Sequence, residues 1–182
     1  MSTRNGFKAV KYFCGLIYGR ESAAAEALAW LESTLGASDG HSAVIPFTVT
    51  DYYRAEMGEP LFRRFVSFRE WQPPDRLPAL KAAAMEREEL MAVGGKRTVN
   101  LDPGYMSEAN VIIATAKNHY HRVPLRDGIY AHMEYVLKDG RIHFLPWTYP
   151  DFQSGPYLEF FTHLKEMHSM ERKGAIRNTA GV

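Results

Sequence analysis

Residues 8–18, Lys-Ala-Val-Lys-Tyr-Phe-Cys-Gly-Leu-Ile-Tyr, form a run of aromatic and aliphatic side chains that predicts a buried strand. After it, Ala24, Ala27, Leu28, Leu31 and Leu35 keep the spacing of an amphipathic helix, with Ser22 as its cap and Gly36 as its stop. Residues 42–50 read as a second strand ending at Asp51, and the alternation over 61–68 predicts a third. The Pro73-Pro74 pair breaks the chain before a helix from a cap at Asp75 to about Val93, closed by Gly94-Gly95. A short strand at 97–101 then runs into Asp102-Pro103-Gly104, which carries a turn signature. The order is β-α-β-β-α-β, the split βαβ pattern of ferredoxin-like sandwiches.

Beyond it the pattern predicts a β-meander. Val111 to Ala116 is a β-branched apolar run, and Asp127-Gly128 and Asp139-Gly140 are two-residue hairpin signals. Between those turns Ile129, Ala131, Met133, Tyr135 and Leu137 alternate with Tyr130, His132, Glu134 and Val136. A last helix over 155–170 aligns Leu158, Phe161 and Leu164, and the polar stretch 171–182 reads as a loose tail. The expectation is one α+β domain over 1–170: an antiparallel sheet, ferredoxin-like in its first half, extended by the meander and a final helix.

Charge and composition narrow the function classes. The formal net charge of +1 gives no global field toward nucleic acid or a membrane surface. Arg63-Arg64 is the densest basic pair before the tail, and a local patch there stays open. No apolar stretch approaches a bilayer span, and Met1 to Gly6 holds no secretory h-region, so the expected location is cytoplasmic. The single Cys14 excludes an internal disulfide and reads as a buried thiol. No P-loop, dinucleotide-binding fingerprint or serine nucleophile elbow is present.

Candidate chemistry gathers in four blocks at or between strand ends: Thr50-Asp51-Tyr52-Tyr53, Asn100 to Tyr105, Lys117 to Arg122, and Trp147 to Phe152. If each Asp-Gly pair occupies a two-residue turn, Val123 faces His132, His121 faces Glu134, Val136 faces His143 and His132 faces Trp147. His119, His121, His132, His143 and Glu134 then share one face, able to ligate a divalent metal, while Met133, Tyr135, Leu137, Ile142 and Phe144 form the core face. The same polar face reads equally as an ordinary solvated one, and a one-residue slip would scatter the set. Asp102 at a strand end suits base or metal-ligand work, or bonds only its own turn. Asp51 lies beside Tyr52, Tyr53 and Glu56. The aromatic loop at Trp147 could stack a base or sugar, or fill a seam. Lys117 and Arg122 suit phosphate.

Several stretches carry a resemblance: Lys11 to Tyr18, Thr50 to Tyr53 with Glu56-Met57-Gly58, Asn100 to Tyr105, His121-Arg122, Gly128 to Ala131, and Trp147 to Asp151. They resemble a bacterial family of domains of unknown function, number four-four-one-six, across almost the whole chain. The resemblance implies no established reaction, although some members bear a "GTP-binding" label. It puts weight on Asp51, Asp102, His121, Arg122 and Asp151, and leaves His119, His132 and His143 outside the motif positions.

The residues and the resemblance together give the leading expectation: a small-molecule site at a sheet end for a phosphorylated or nucleotide-like ligand. Asp51, Asp102 and His121 are its catalytic candidates; Tyr52, Tyr105, Lys117, Arg122, Trp147 and Asp151 are its binding candidates. The alternative is a non-catalytic RNA- or protein-binding module using loop 147–152 and the Arg63-Arg64 patch. Neither reading names a reaction or an oligomeric state.

Overall fold

The computed structural model describes residues 6–179, with side chains through residue 171. One antiparallel sheet of nine strands forms its middle layer. The elements run β1 (Val10–Tyr18), α1 (Glu21–Leu35), β2 (Ser38–His41), β3 (Ile45–Pro46), α2 (Arg54–Met57), β4 (Phe62–Gln72), α3 (Leu77–Leu90), β5 (Val99–Met106), β6 (Asn110–Thr115), β7 (Val123–Arg126), β8 (Ile129–Lys138), β9 (Arg141–Phe144) and α4 (Gly155–Thr179). The strand order is β2-β4-β1-β5-β6-β8-β7, with β3 on β4 and β9 on β8. In this order β4 lies between β1 and β2, and β1 lies between β4 and β5, so the connections β1-α1-β2 and β4-α3-β5 each skip one strand. The chain is α+β, and among its described residues no helix is long and apolar enough to cross a membrane.

The sheet is covered on both faces. Tyr12, Cys14, Leu16 and Tyr18 of β1 pack against Ala23, Ala24, Ala27 and Leu31 of α1 and Leu77, Leu80 and Ala84 of α3. On the other face Phe13, Phe65, Met106, Val111 and Tyr135 pack against Tyr157, Phe160, Phe161 and Leu164 of α4. Because neighbouring β1 residues feed opposite layers, the strand reads as a continuous apolar run. Phe65 touches four α4-side rings, Phe152, Tyr157, Phe160 and Phe161, at centroid distances of 4.8–5.6 Å. Such ring pairs add about 0.5–1.5 kcal/mol each beyond area burial.

Several element boundaries differ from the sequence reading. Residues 42–50 hold only the two-residue β3, so Asp51 ends no strand but lies in a loop before α2. Helix α1 starts at Glu21 with Arg20 as its cap, which puts Ser22 inside the first turn. A 3-10 turn over Pro74–Arg76 precedes α3, and Asp75 caps nothing. Helix α4 runs to Thr179, and Glu171 within it accepts bonds from the fully buried Lys11 (3.1 Å) and from Trp71 Nε1 (2.7 Å). Lys11 also pairs with Asp39 at 2.6 Å, tying α4 to β1 and β2. Residues 180–182 of the expected tail, and residues 1–5, lie outside the described residues.

The largest correction concerns Asp102-Pro103-Gly104, which sits in the middle of β5 rather than in a turn. The β5–β6 ladder is only three pairs long and stops at Gly104 opposite Ile113. Pro103 has its nitrogen on the side that β6 leaves open, so no ladder bond is lost there. Gly104 is set by crowding: a Cβ there would lie 2.5 Å from Ile112 O and 2.6 Å from Phe13 Cζ.

Both hairpin turns form with positive φ at Asp127, Gly128, Asp139 and Gly140. The β8–β9 register holds, with Val136 opposite His143. The β7–β8 register slips at Leu125, so Val123 faces Ala131 instead of His132. On the other side of β8 a bulge sets Met133 opposite Ile112 and Tyr135 opposite Val111, leaving Glu134 as the extra residue. The bulge also swaps faces. Ala131 and Met133 join the α1/α3 core, whereas Tyr135 and Leu137 join the α4 core. The proposed core face and histidine face of β8 are therefore not two separate faces.

Candidate functional site

Where β5 and β6 stop pairing, a cavity of about 900 Å³ opens between them. Asn100 and Asp102 line one side, and Ile113 to Lys117 the other. Lys81, Met85 and Glu88 of α3 close one end. Phe47, Tyr52, Tyr53 and Glu56 from the loop and α2, with Tyr149 to Phe152, close the rest. Helix α3 supplies what β6 does not. Lys81 Nζ donates to Leu101 O at 2.6 Å, and Glu88 Oε1 accepts from Leu101 N at 2.7 Å, so both backbone groups of the open strand edge are satisfied.

The buried cations lining the cavity are already neutralised. Arg63, only 5% exposed, bonds Asp102 Oδ2 at 3.1 Å under the rings of Phe47, Phe65 and Tyr157. Gly15, opposite both Phe65 and Asp102, leaves the space: a Cβ there would lie 2.6 Å from Arg63 Nη1. Lys81 reaches Asp102 Oδ1 at 3.6 Å. Burial pushes the Asp102 carboxyl up, but Lys81 and Arg63 outweigh it, and the group sits below its ordinary value. Arg97 forks onto Glu56 at 2.8 and 2.6 Å and reaches Glu88 at 3.1 Å, pinning α2 to the start of β5. Burial raises Glu88, while the Arg97 fork lowers Glu56.

Lys117 differs. Its ammonium lies 3.8 Å from the centroid of Tyr52, and among the described residues no carboxylate stands within ion-pair distance of it. Behind it Arg122 donates to Lys117 O (2.6 Å), Tyr149 Oη (2.5 Å) and His132 Nδ1 (3.2 Å).

Of the residues singled out from sequence, Asp102, Asp151, Tyr52, Lys117, His132 and Arg63 line this cavity. Asp51 does not: its side chain is 81% exposed and pairs with Arg54 at 2.9 Å. Tyr105 faces a separate depression with Trp71 and His168. His121, Arg122 and Trp147 stand just behind the wall. Trp147 Nε1 donates to Met133 O at 2.9 Å, and its ring stacks on His121 at 5.0 Å. Trp147 is thus packed against the fold, whereas Tyr149 of the same loop is 40% exposed. Arg63 is buried and Arg64 lies 3.7 Å from Glu21, so the pair makes no open basic patch.

The histidines form a chain instead of a shared face. His119 Nδ1 is 3.0 Å from His121 Nδ1, His121 Nε2 is 3.1 Å from His132 Nδ1, and His132 Nε2 is 3.1 Å from Glu134 Oε1. His143 stands apart, near Lys138 O. Among the described residues no group of three or more His, Cys, Asp or Glu side chains is arranged to hold a metal ion. Burial raises Glu134, and desolvation with His132, His119 and Arg122 lowers His121.

Sequence reasoning missed Lys81, Glu88 and Arg97, and it named Tyr53 and Tyr149 within their blocks without giving either a role. A signal existed in α3: Lys81 and Glu88 lie on the same stripe as Leu77, Ala84 and Met91, where a core-facing helix carries apolar residues. Two buried charges on that stripe mark a polar seam.

A family model described as Domain of unknown function (DUF4416) matches residues 8–168. The chain belongs to that family. The DUF4416 match takes in every strand of the sheet and every residue that lines the cavity. No curated protein and no solved structure matches the chain.

Proposed function

We propose that the β5–β6 cleft binds a phosphorylated small molecule carrying a single phosphate at Lys117. The observation that carries this reading is the distribution of charge. Arg63, Lys81 and Arg97 are matched by Asp102, Glu88 and Glu56, whereas Lys117 at the rim has no such partner among the described residues. One anionic group is drawn there. The interior, with Asp102, Asp151 and the phenols of Tyr52 and Tyr53, offers hydrogen-bonding groups to a hydroxylated or planar body. A triphosphate would meet the carboxylates without further free cations.

A thermal-shift series with ribose, ribose 5-phosphate, AMP and GTP tests it. A ligand at 100 times its dissociation constant adds about 2.7 kcal/mol, roughly 5–10 °C for a domain of this size. The expected result is a shift with ribose 5-phosphate or AMP that is lost in Lys117→Ala, with no added gain from GTP. No shift from any monophosphate overturns the reading.

A further inference from the structure

We propose that Arg122 is a positioning residue that joins Lys117 and Tyr149 into one site for an anionic oxygen. The inference rests on the cleft being a ligand site, and assigns the two groups that hold its anion. Arg122 itself does not line the cavity, but three residues that do are all bonded to its guanidinium: Tyr149 Oη at 2.5 Å, Lys117 O at 2.6 Å and His132 Nδ1 at 3.2 Å. A planar fork fixes both position and direction of its acceptors.

Among the described residues no carboxylate lies within ion-pair distance of Arg122, whose three acceptors are a backbone carbonyl, a phenol oxygen and an imidazole nitrogen. A phenol that accepts from a guanidinium keeps its own proton to donate elsewhere. Burial raises the Tyr149 pKa, Arg122 opposes, and Glu134, Asp102 and Asp151 add to the rise; the proton stays on at neutral pH. The ring is oriented by its stack on His132, at 4.9 Å with 10° between planes. Lys117 is held likewise. Its N–H bonds Thr115 Oγ1 at 3.1 Å, its carbonyl bonds Arg122, and its ammonium rests on Tyr52. The rim thus presents one ammonium and one phenol proton, a pair suited to a phosphate monoester; a carboxylate shares the chemistry.

The test is calorimetric titration of ribose 5-phosphate, ribose and acetate into wild type, Tyr149→Phe, Arg122→Lys and Arg122→Ala. Wild type should prefer ribose 5-phosphate to ribose, with acetate showing whether a carboxylate is taken as well. Tyr149→Phe keeps the ring stack and should weaken ribose 5-phosphate about tenfold or more without changing ribose. Arg122→Lys should do the same, since a compact ammonium, although it has three N–H donors, cannot reproduce the planar fork that reaches acceptors spread around the guanidinium. Added guanidinium should restore Arg122→Ala, a rescue that a general packing role would not give. If Arg122→Ala does not fold, Arg122→Lys and Tyr149→Phe still decide. Wild-type binding with both variants unchanged overturns the assignment while leaving the cleft as a ligand site. Absence of wild-type binding to both ribose 5-phosphate and acetate overturns the assignment, and absence of AMP binding as well overturns the cleft as a ligand site.

Discussion

Asp102→Asn removes one charge and almost no volume, and its cost follows from what it leaves behind. Arg63 is 5% exposed, its other near neighbours are the rings of Phe47, Phe65 and Tyr157, and its ion pair is Asp102 at 3.1 Å. Breaking a buried pair by removing one partner costs about 3–5 kcal/mol. The amide oxygen still accepts a bond, so the lower end, about 3 kcal/mol, is expected; that is a large share of the roughly 5–15 kcal/mol of an ordinary domain. Urea unfolding at pH 7 measures it. The pH dependence has a definite sign. The native carboxyl lies below its ordinary 3.8, so its contribution is complete above that value and is lost as pH falls through the lowered native one. The gap between wild type and Asp102→Asn should stay constant from neutral pH down to about 5 and close below about 4. Arg63→Met in the Asp102→Asn background should recover much of the loss, because an apolar chain suits the aromatic box. A neutral-pH cost under about 1 kcal/mol, or a gap that persists in acid, would refute the reasoning.

Three further outcomes follow from the same geometry. Gly15→Ala places a methyl 2.6 Å from Arg63 Nη1 and 2.9 Å from Phe65 Cε1, and should cost about 1–3 kcal/mol in urea unfolding. Cys14 is wholly buried, and burial with Asp102 nearby pushes its thiol far up; a thiol reagent should label it only at the rate of global unfolding, read by absorbance. Asp51→Ala, outside the cavity and paired among the described residues with Arg54, should leave a ribose 5-phosphate thermal shift unchanged.

The first strand, the first helix and the two hairpin turns were legible because their signals are local: the apolar run of β1, the spacing of α1, and the Asp-Gly turns at 127 and 139. What escaped depends on partners distant in sequence. Asp-Pro-Gly at 102–104 has turn composition, yet Pro103 is tolerated because β6 pulls away, and Gly104 is needed because Phe13 and Ile112 press on it. The bulge at Glu134 is invisible to a period-two alternation, since it appears only when β8 is counted against β6. The slip at Leu125 is equally silent. Lys117 was found because it stands just past the end of β6, and Asp102 because its Pro-Gly sequel made it look like a strand end, although it lies inside β5. Candidate residues were missed where α3 contributes, because Lys81 and Glu88 look like surface charges until Leu101 is seen to need them.

The most direct measurement is a crystal structure of the protein soaked with ribose 5-phosphate. Density is predicted between β5 and β6, with the phosphate bonded to Lys117 Nζ and Tyr149 Oη and the sugar toward Asp102. A cleft closed by continued pairing, with Asp102 opposite Thr115, or sugar phosphate bound only elsewhere on the molecule, would contradict it.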